Sequence, residues 1–260
     1  MRIIFLLLFF VGCAVNNVKY RMPSNRFNTP EVTGGSLFAL DLNGRANLNY
    51  GSSNRVSVSD VIAPEVGAGD PAEKIIEDSS QLGLRLDLSM LDRLDLYWDF
   101  TLYSPSTVGL KWQFLGKTEQ AFSQGWKSSL TAGFGSSSTG EREIPIREAE
   151  PPVFVRGTND TKVYDFYWMV GYRFPERLLL YLNLNYTTYE NEITFRKGTQ
   201  EKVVKAFETN TMGAIVGVQY YFKQKTSFLI LELGYSEGKV ENIAENSIVS
   251  AGVDFGWRFD

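Results

Sequence analysis

The chain has 260 residues, 43% hydrophobic, 14% aromatic and 22% charged, with a net charge of −4, one cysteine and no histidine. This length accommodates one large all-β domain. Slight acidity without clustered Lys and Arg argues against a nucleic-acid partner, and a lone cysteine excludes an internal disulfide. Without histidine, no side chain of ordinary pKa transfers protons near neutral pH.

Arg2 is followed by the apolar run Ile3 to Val11, then Gly12 and Cys13. The run is too short to cross a bilayer and has the order of an export signal: charge, apolar core, small residue. Phe10-Val11-Gly12-Cys13 is similar to a bacterial lipobox, with Phe10 where Leu is usual. Residues 1–12 are therefore expected to be a signal peptide with Cys13 the lipidated mature N-terminus. The alternative is ordinary cleavage after Ala14. Residues 13–35 carry Pro, Asn, Gly and mixed charge without periodicity and are expected to form a tether or plug.

From 36 to 51, Phe38, Leu40, Leu42, Ala46, Leu48 and Tyr50 alternate with Asp41, Asn43, Arg45, Asn47 and Asn49. The period-two pattern of a strand with one apolar face returns in nine further segments: 80–90, 94–103, 107–115, 125–136, 161–174, 177–190, 209–222, 226–236 and 247–259. Most have about the 9 to 11 residues of a tilted membrane strand, and ten is an even number. The expected fold is all-β: a transmembrane antiparallel up-and-down β-barrel over 36–260, with ten strands and eight or twelve as the neighbouring counts. The weak place is Ser104-Pro105-Ser106, a very short link between the third and fourth strands.

Connection lengths supply an orientation. Links at 91–93, 175–176 and 223–225 are short, whereas 52–79, 137–160, 191–208 and 237–246 are long. Short turns lie in the periplasm and long loops outside, so the N-terminus is expected to be periplasmic, beside the start of strand one. The link 116–124 is the exception, longer than a tight turn.

A soluble barrel would have to enclose its apolar side chains. Here the apolar rows carry all five tryptophans (Trp98, Trp112, Trp126, Trp168, Trp257) and no charge, and they are too bulky for the lumen of ten strands. They fit outside, in hydrocarbon, where a charge at the midplane costs about 2 to 4 kcal/mol. Tyr50, Tyr164, Tyr186 and Tyr235 fall at one level and Phe38, Phe114, Trp126, Phe174, Phe222, Trp257 and Phe259 at the other, as two headgroup belts.

With its repeated alternation and its ending Val253-Asp-Phe255-Gly-Trp257-Arg-Phe259, the chain resembles the small outer-membrane β-barrels of Gram-negative bacteria. The resemblance implies outer-membrane lipids as surroundings and a C-terminal insertion signal, Phe255, Trp257 and Phe259, read by the barrel-assembly machinery. Asp260 follows, where the family commonly ends on the aromatic.

The inward rows carry seven acids (Asp41, Asp87, Asp95, Asp99, Asp165, Glu232, Asp254) and six bases (Arg45, Arg85, Lys111, Lys127, Arg173, Arg258). Balance points to pairing, since an ion-selective wall favours one sign and unpaired buried charge is costly. Ten strands leave a narrow or filled interior. With no histidine to act as a base, neither a catalytic site nor a cofactor is expected. Asp87, Asp95 and Asp99 lie in strands and not in a calcium loop, so no metal is expected either. The expected role is structural or interactive, with a largely closed lumen and an extracellular partner through loops 52–79 and 137–160. The alternatives are a narrow pore for small solutes and, behind it, an envelope enzyme.

Overall fold

A strand that is apolar on one face can satisfy its backbone in lipid only if its sheet has no free edge. In the computed structural model this condition is met by ten antiparallel strands, and no helix occurs among the described residues. Those residues are 17–22, 25–34, 42–57, 76–102, 104–118, 122–146, 153–175, 177–197, 201–222, 226–240 and 244–259. The proposed signal peptide, Cys13, Phe38, Leu40, Asp41 and Asp260 lie outside them.

A short strand β1 (Asn17–Met22) precedes the barrel strands β2 (Leu42–Ser57), β3 (Ile76–Leu91), β4 (Leu94–Thr101), β5 (Ser106–Leu115) and β6 (Gly125–Ile146). The remainder are β7 (Val153–Arg173), β8 (Leu178–Lys197), β9 (Glu201–Tyr221), β10 (Ser227–Val240) and β11 (Ala244–Phe259). Sequence neighbours pair from β2 to β11, and the ring closes where Leu42–Tyr50 meets Ala251–Phe259 in register. The doubtful link holds as a real hairpin: β4 and β5 pair from Leu94↔Trp112 to Asp99↔Thr107, and Leu102 N donates to Leu82 O at 2.9 Å.

Burial follows the alternation. On β8, Leu180, Leu182, Leu184 and Tyr186 are exposed while Leu179, Tyr181, Asn183 and Asn185 are buried, and all five tryptophans are exposed. The exposed face therefore meets lipid. Along β7 the upper girdle residue Tyr164 and the lower girdle residue Phe174 are ten positions apart. At ~3.4 Å per residue and a tilt of about 40° that is roughly 26 Å of height, matching the ~25 Å apolar band of such barrels. The lower girdle is knit by edge contacts, Trp126 on Tyr172 at 5.4 Å and Tyr172 on Phe174 at 5.1 Å.

Two expectations are corrected. Most of the stretch expected as outer loop 137–160 is an extension of the β6–β7 hairpin, pairing from Ser137↔Thr161 to Ile146↔Val153 with an irregularity between Thr139 and Arg142. The pairs Arg196↔Lys202 of β8–β9 and Lys239↔Glu245 of β10–β11 continue the ladder in the same way. Above the bilayer both faces of a strand meet water, so the ladder persists after side-chain alternation has ceased to be required. The second correction concerns the N-terminus. Asn17 sits opposite Ser57 at the hairpin end, not beside Leu42 at the turn end, because residues 25–34 run through the barrel between the two.

Candidate functional site

The inward rows meet around residues 25–34, all of which are buried. This segment lacks periodicity because barrel wall surrounds it on every side. Arg26 lies between Asp99 (3.8 Å) and Asp165 (3.6 Å) and donates from Nη1 to Thr107 Oγ1 at 3.3 Å. Glu31 is forked by Arg173, whose Nε donates at 2.8 Å, and lies 3.2 Å from Lys127 Nζ. Backbone groups are met as well. Val32 N donates to Gln113 Oε1 at 2.9 Å, Thr33 N to Asp95 Oδ2 at 2.6 Å, and Asn183 Nδ2 donates to Asn28 O at 2.7 Å. A buried irregular segment must satisfy its own amides, and here the wall's side chains do so.

Phe27 is the apolar anchor. Its fully buried ring joins Leu179, Tyr181, Tyr221, Phe228 and Ile230. Its φ of 51° is the left-handed conformation that disfavours side chains. The surroundings hold it there: Arg45 Nη1 donates to Phe27 O at 2.6 Å, and Phe27 N donates to Glu232 Oε2 at 3.2 Å. Gly252 on β11 makes room, since a Cβ at that position would stand 2.4 Å from Phe27 Cζ.

The remaining inward charges are also placed. Arg45 and Arg85 face each other across β2 and β3, and both bind Asp87, with Arg85 Nη2 at 2.9 Å. Arg45 also lies 3.7 Å from Asp254, and Arg85 lies 3.7 Å from Asp99. Lys111 is 3.8 Å from Asp95. Tyr97 Oη donates to Asp165 at 2.9 Å and Tyr181 Oη to Glu232 at 2.8 Å. Arg258 is buried near the turn end, where its backbone N donates to Thr226 O at 2.8 Å. Asp87 and Asp99 share Arg85 while Asp95 faces Lys111, and among the described residues no group of three or more metal-ligating side chains assembles.

Sequence reasoning missed Arg26, Phe27 and Glu31 because it sought charges only on alternating strands. The available signal was an Arg, a Phe and a Glu within six residues of an otherwise Asn-, Thr- and Pro-rich segment. It also left the long link 116–124 without a role. In the structure Phe122 packs edge-on against Tyr221 at 4.9 Å, and the Gly34 Cα faces Thr118, so this link lies under the turn end of the segment.

On β11, Phe255, Trp257 and Phe259 sit on the lipid side near the turn end, with Trp257 and Phe259 exposed and the rings of Phe255 and Trp257 4.4 Å apart. The sequence matches the outer membrane protein beta-barrel domain over residues 71–259. The chain belongs to that family. As an outer-membrane β-barrel it has its place in the bacterial outer membrane. Among curated proteins none matches it. Similar solved structures include the outer membrane protease OmpT from Escherichia coli, at 9% identity over 86% of this chain and 99% of that one, TM-score 0.44. Another is Ail, the attachment invasion locus protein of Yersinia pestis, in complex with sucrose octasulfate, at 12% identity over 85% and 99%, TM-score 0.35. Neisserial surface protein A is a third, at 11% identity over 84% and 95%, TM-score 0.24.

Proposed function

We propose that this outer-membrane β-barrel is a non-conducting envelope scaffold: its own residues 25–34 occupy the lumen, and its extended hairpins face a partner outside. The observation that carries this reading is the density of contacts on that segment. Side chains of β2, β3, β4, β5, β6, β7, β8, β10 and β11 donate to it, accept from it or pair with it. Most of the wall's acids and bases are engaged with each other or with Arg26 and Glu31, and Glu232 accepts from Tyr181 and from Phe27 N, which favours a structural role over catalysis. A tether at Cys13 complements this role by holding the free end at the membrane. The hairpin β6–β7 and the connection between β2 and β3 are the surfaces offered to an extracellular partner.

Planar-bilayer recording of the refolded protein tests the lumen. The wild type is expected to be silent. Removing residues 25–34, or combining Arg26→Ala with Glu31→Gln where the deletion does not fold, is expected to give discrete conductance steps through the vacated polar interior. Stable steps from the wild type would establish the alternative, a narrow pore for small solutes.

A further inference from the structure

The path of residues 17–34 has a direction. β1 pairs antiparallel with the top of β2, Asn17 opposite Ser57 and Met22 opposite Ser52. A strand has two edges. β3 holds one edge of β2 up to Asn54, and β11 holds the other only up to Tyr50. β1 therefore takes over the β11 edge beyond Tyr50, and the wall is split there by a third strand.

Below Met22 the partners descend in order. Gln81 Nε2 donates to Met22 O at 3.3 Å, and Asn49 Nδ2 donates to Asn25 O at 3.3 Å. Phe27 is held from Arg45, four residues lower on β2. Glu31 meets Arg173, the last residue of β7 before its turn. Thr33 accepts from Asn43 Nδ2 at 3.2 Å, and the Gly34 Cα faces Thr118 in the link beneath the barrel. The chain enters at the hairpin end and leaves at the turn end.

We propose that the protein is threaded through its own barrel, so that the chain preceding Asn17 is displayed on the outer face of the membrane. The sidedness comes from connection length, since long hairpins lie outside and short turns in the periplasm. Asn17 is paired seven residues beyond the girdle residue Tyr50, on the outer side of the bilayer. Cys13 is four residues upstream, at most about 14 Å of extended chain, so a lipid on it anchors in the outer leaflet. This is the opposite leaflet from the one implied by a periplasmic N-terminus.

The test is an epitope inserted between Asn16 and Asn17 of the full-length protein and probed with antibody on intact cells. Parallel insertions at 147–150 and between Asp92 and Arg93 report sidedness. Staining of the N-terminal and hairpin tags without permeabilisation, with the turn tag hidden, is the expected result. A stained hairpin tag with an N-terminal tag reached only after permeabilisation overturns the threading. A stained turn tag with a hidden hairpin tag overturns the sidedness and the surface display with it. A second measurement stands apart from tagging and orientation: Met22→Cys with Ser52→Cys, in a Cys13→Ser background, should form a disulfide in high yield. No crosslink in folded protein overturns the threaded path. Neither readout depends on conductance, so a conducting wild type would refute the closed scaffold and leave the threading to be judged by these results.

Discussion

Replacing Phe27 by Ala isolates what seats the lumenal segment. The ring is fully buried in a pocket formed by Leu179, Tyr181, Tyr221, Phe228 and Ile230. Truncating a buried Phe to Ala costs about 3 to 5 kcal/mol. The left-handed φ of 51° is as unfavourable for Ala as for Phe, and the two backbone bonds to Arg45 and Glu232 survive the change. The loss thus belongs to the ring alone. At about 1.4 kcal/mol per decade, the population with the segment unseated rises roughly 100- to 4,000-fold. A cysteine at Thr29, which is buried, reports it: with opening fast relative to labelling, maleimide reactivity follows the open fraction. The assay compares Thr29→Cys with Thr29→Cys/Phe27→Ala, both in a Cys13→Ser background, and uses heat-modifiable gel mobility to show that the barrel is intact. A rise under about threefold, equivalent to roughly 0.7 kcal/mol, would refute the assignment of Phe27 as the anchor.

Asp87→Asn removes the carboxylate that separates two opposed guanidiniums, Arg45 and Arg85. Breaking such a buried arrangement costs about 3 to 5 kcal/mol, so the urea midpoint of the refolded barrel should fall clearly; Asp95→Asn, at a carboxylate that faces one cation, Lys111 at 3.8 Å, and accepts from Thr33 N, should cost less. Incorporation of labelled fatty acid should occur in the wild type and vanish in Cys13→Ser, and incorporation that survives the substitution would place the tether elsewhere.

The barrel was legible because lipid enforces the alternation. Wherever a strand crosses hydrocarbon, one row must be apolar, and Leu180, Leu182 and Leu184 on β8 or Trp98 and Phe100 on β4 state this residue by residue. Two things were not legible, for different reasons. Above the girdle no row has to be apolar, so 137–146 reads as loop although Ser137–Thr139 and Arg142–Ile146 are paired with β7. Within the lumen the constraint is three-dimensional: Arg26 and Glu31 are fixed by Asp99, Asp165, Lys127 and Arg173, which lie between 73 and 142 positions from their partners in sequence, on strands whose juxtaposition only the closed ring creates. The direction of the N-terminal segment was not legible for a related reason. A ten-strand ring puts both of its own ends at the turn side, and nothing in the composition of 14–35 says that the chain doubles back.

The seam between β2 and β11 takes on a topological meaning once the segment is in place. A ring on an axle is assembled either by passing a loose end through the ring or by closing the ring around the axle. β1 is paired to the upper part of β2, and residues 25–34 between them descend the lumen, so the axle is joined to the strand at which the ring closes. The ring is closed by β11, whose Phe255 and Trp257 lie opposite Ala46 and Gly44. The strand expected to carry the C-terminal insertion signal is therefore also the clasp: paired with β2, it leaves the N-terminal segment no sideways exit.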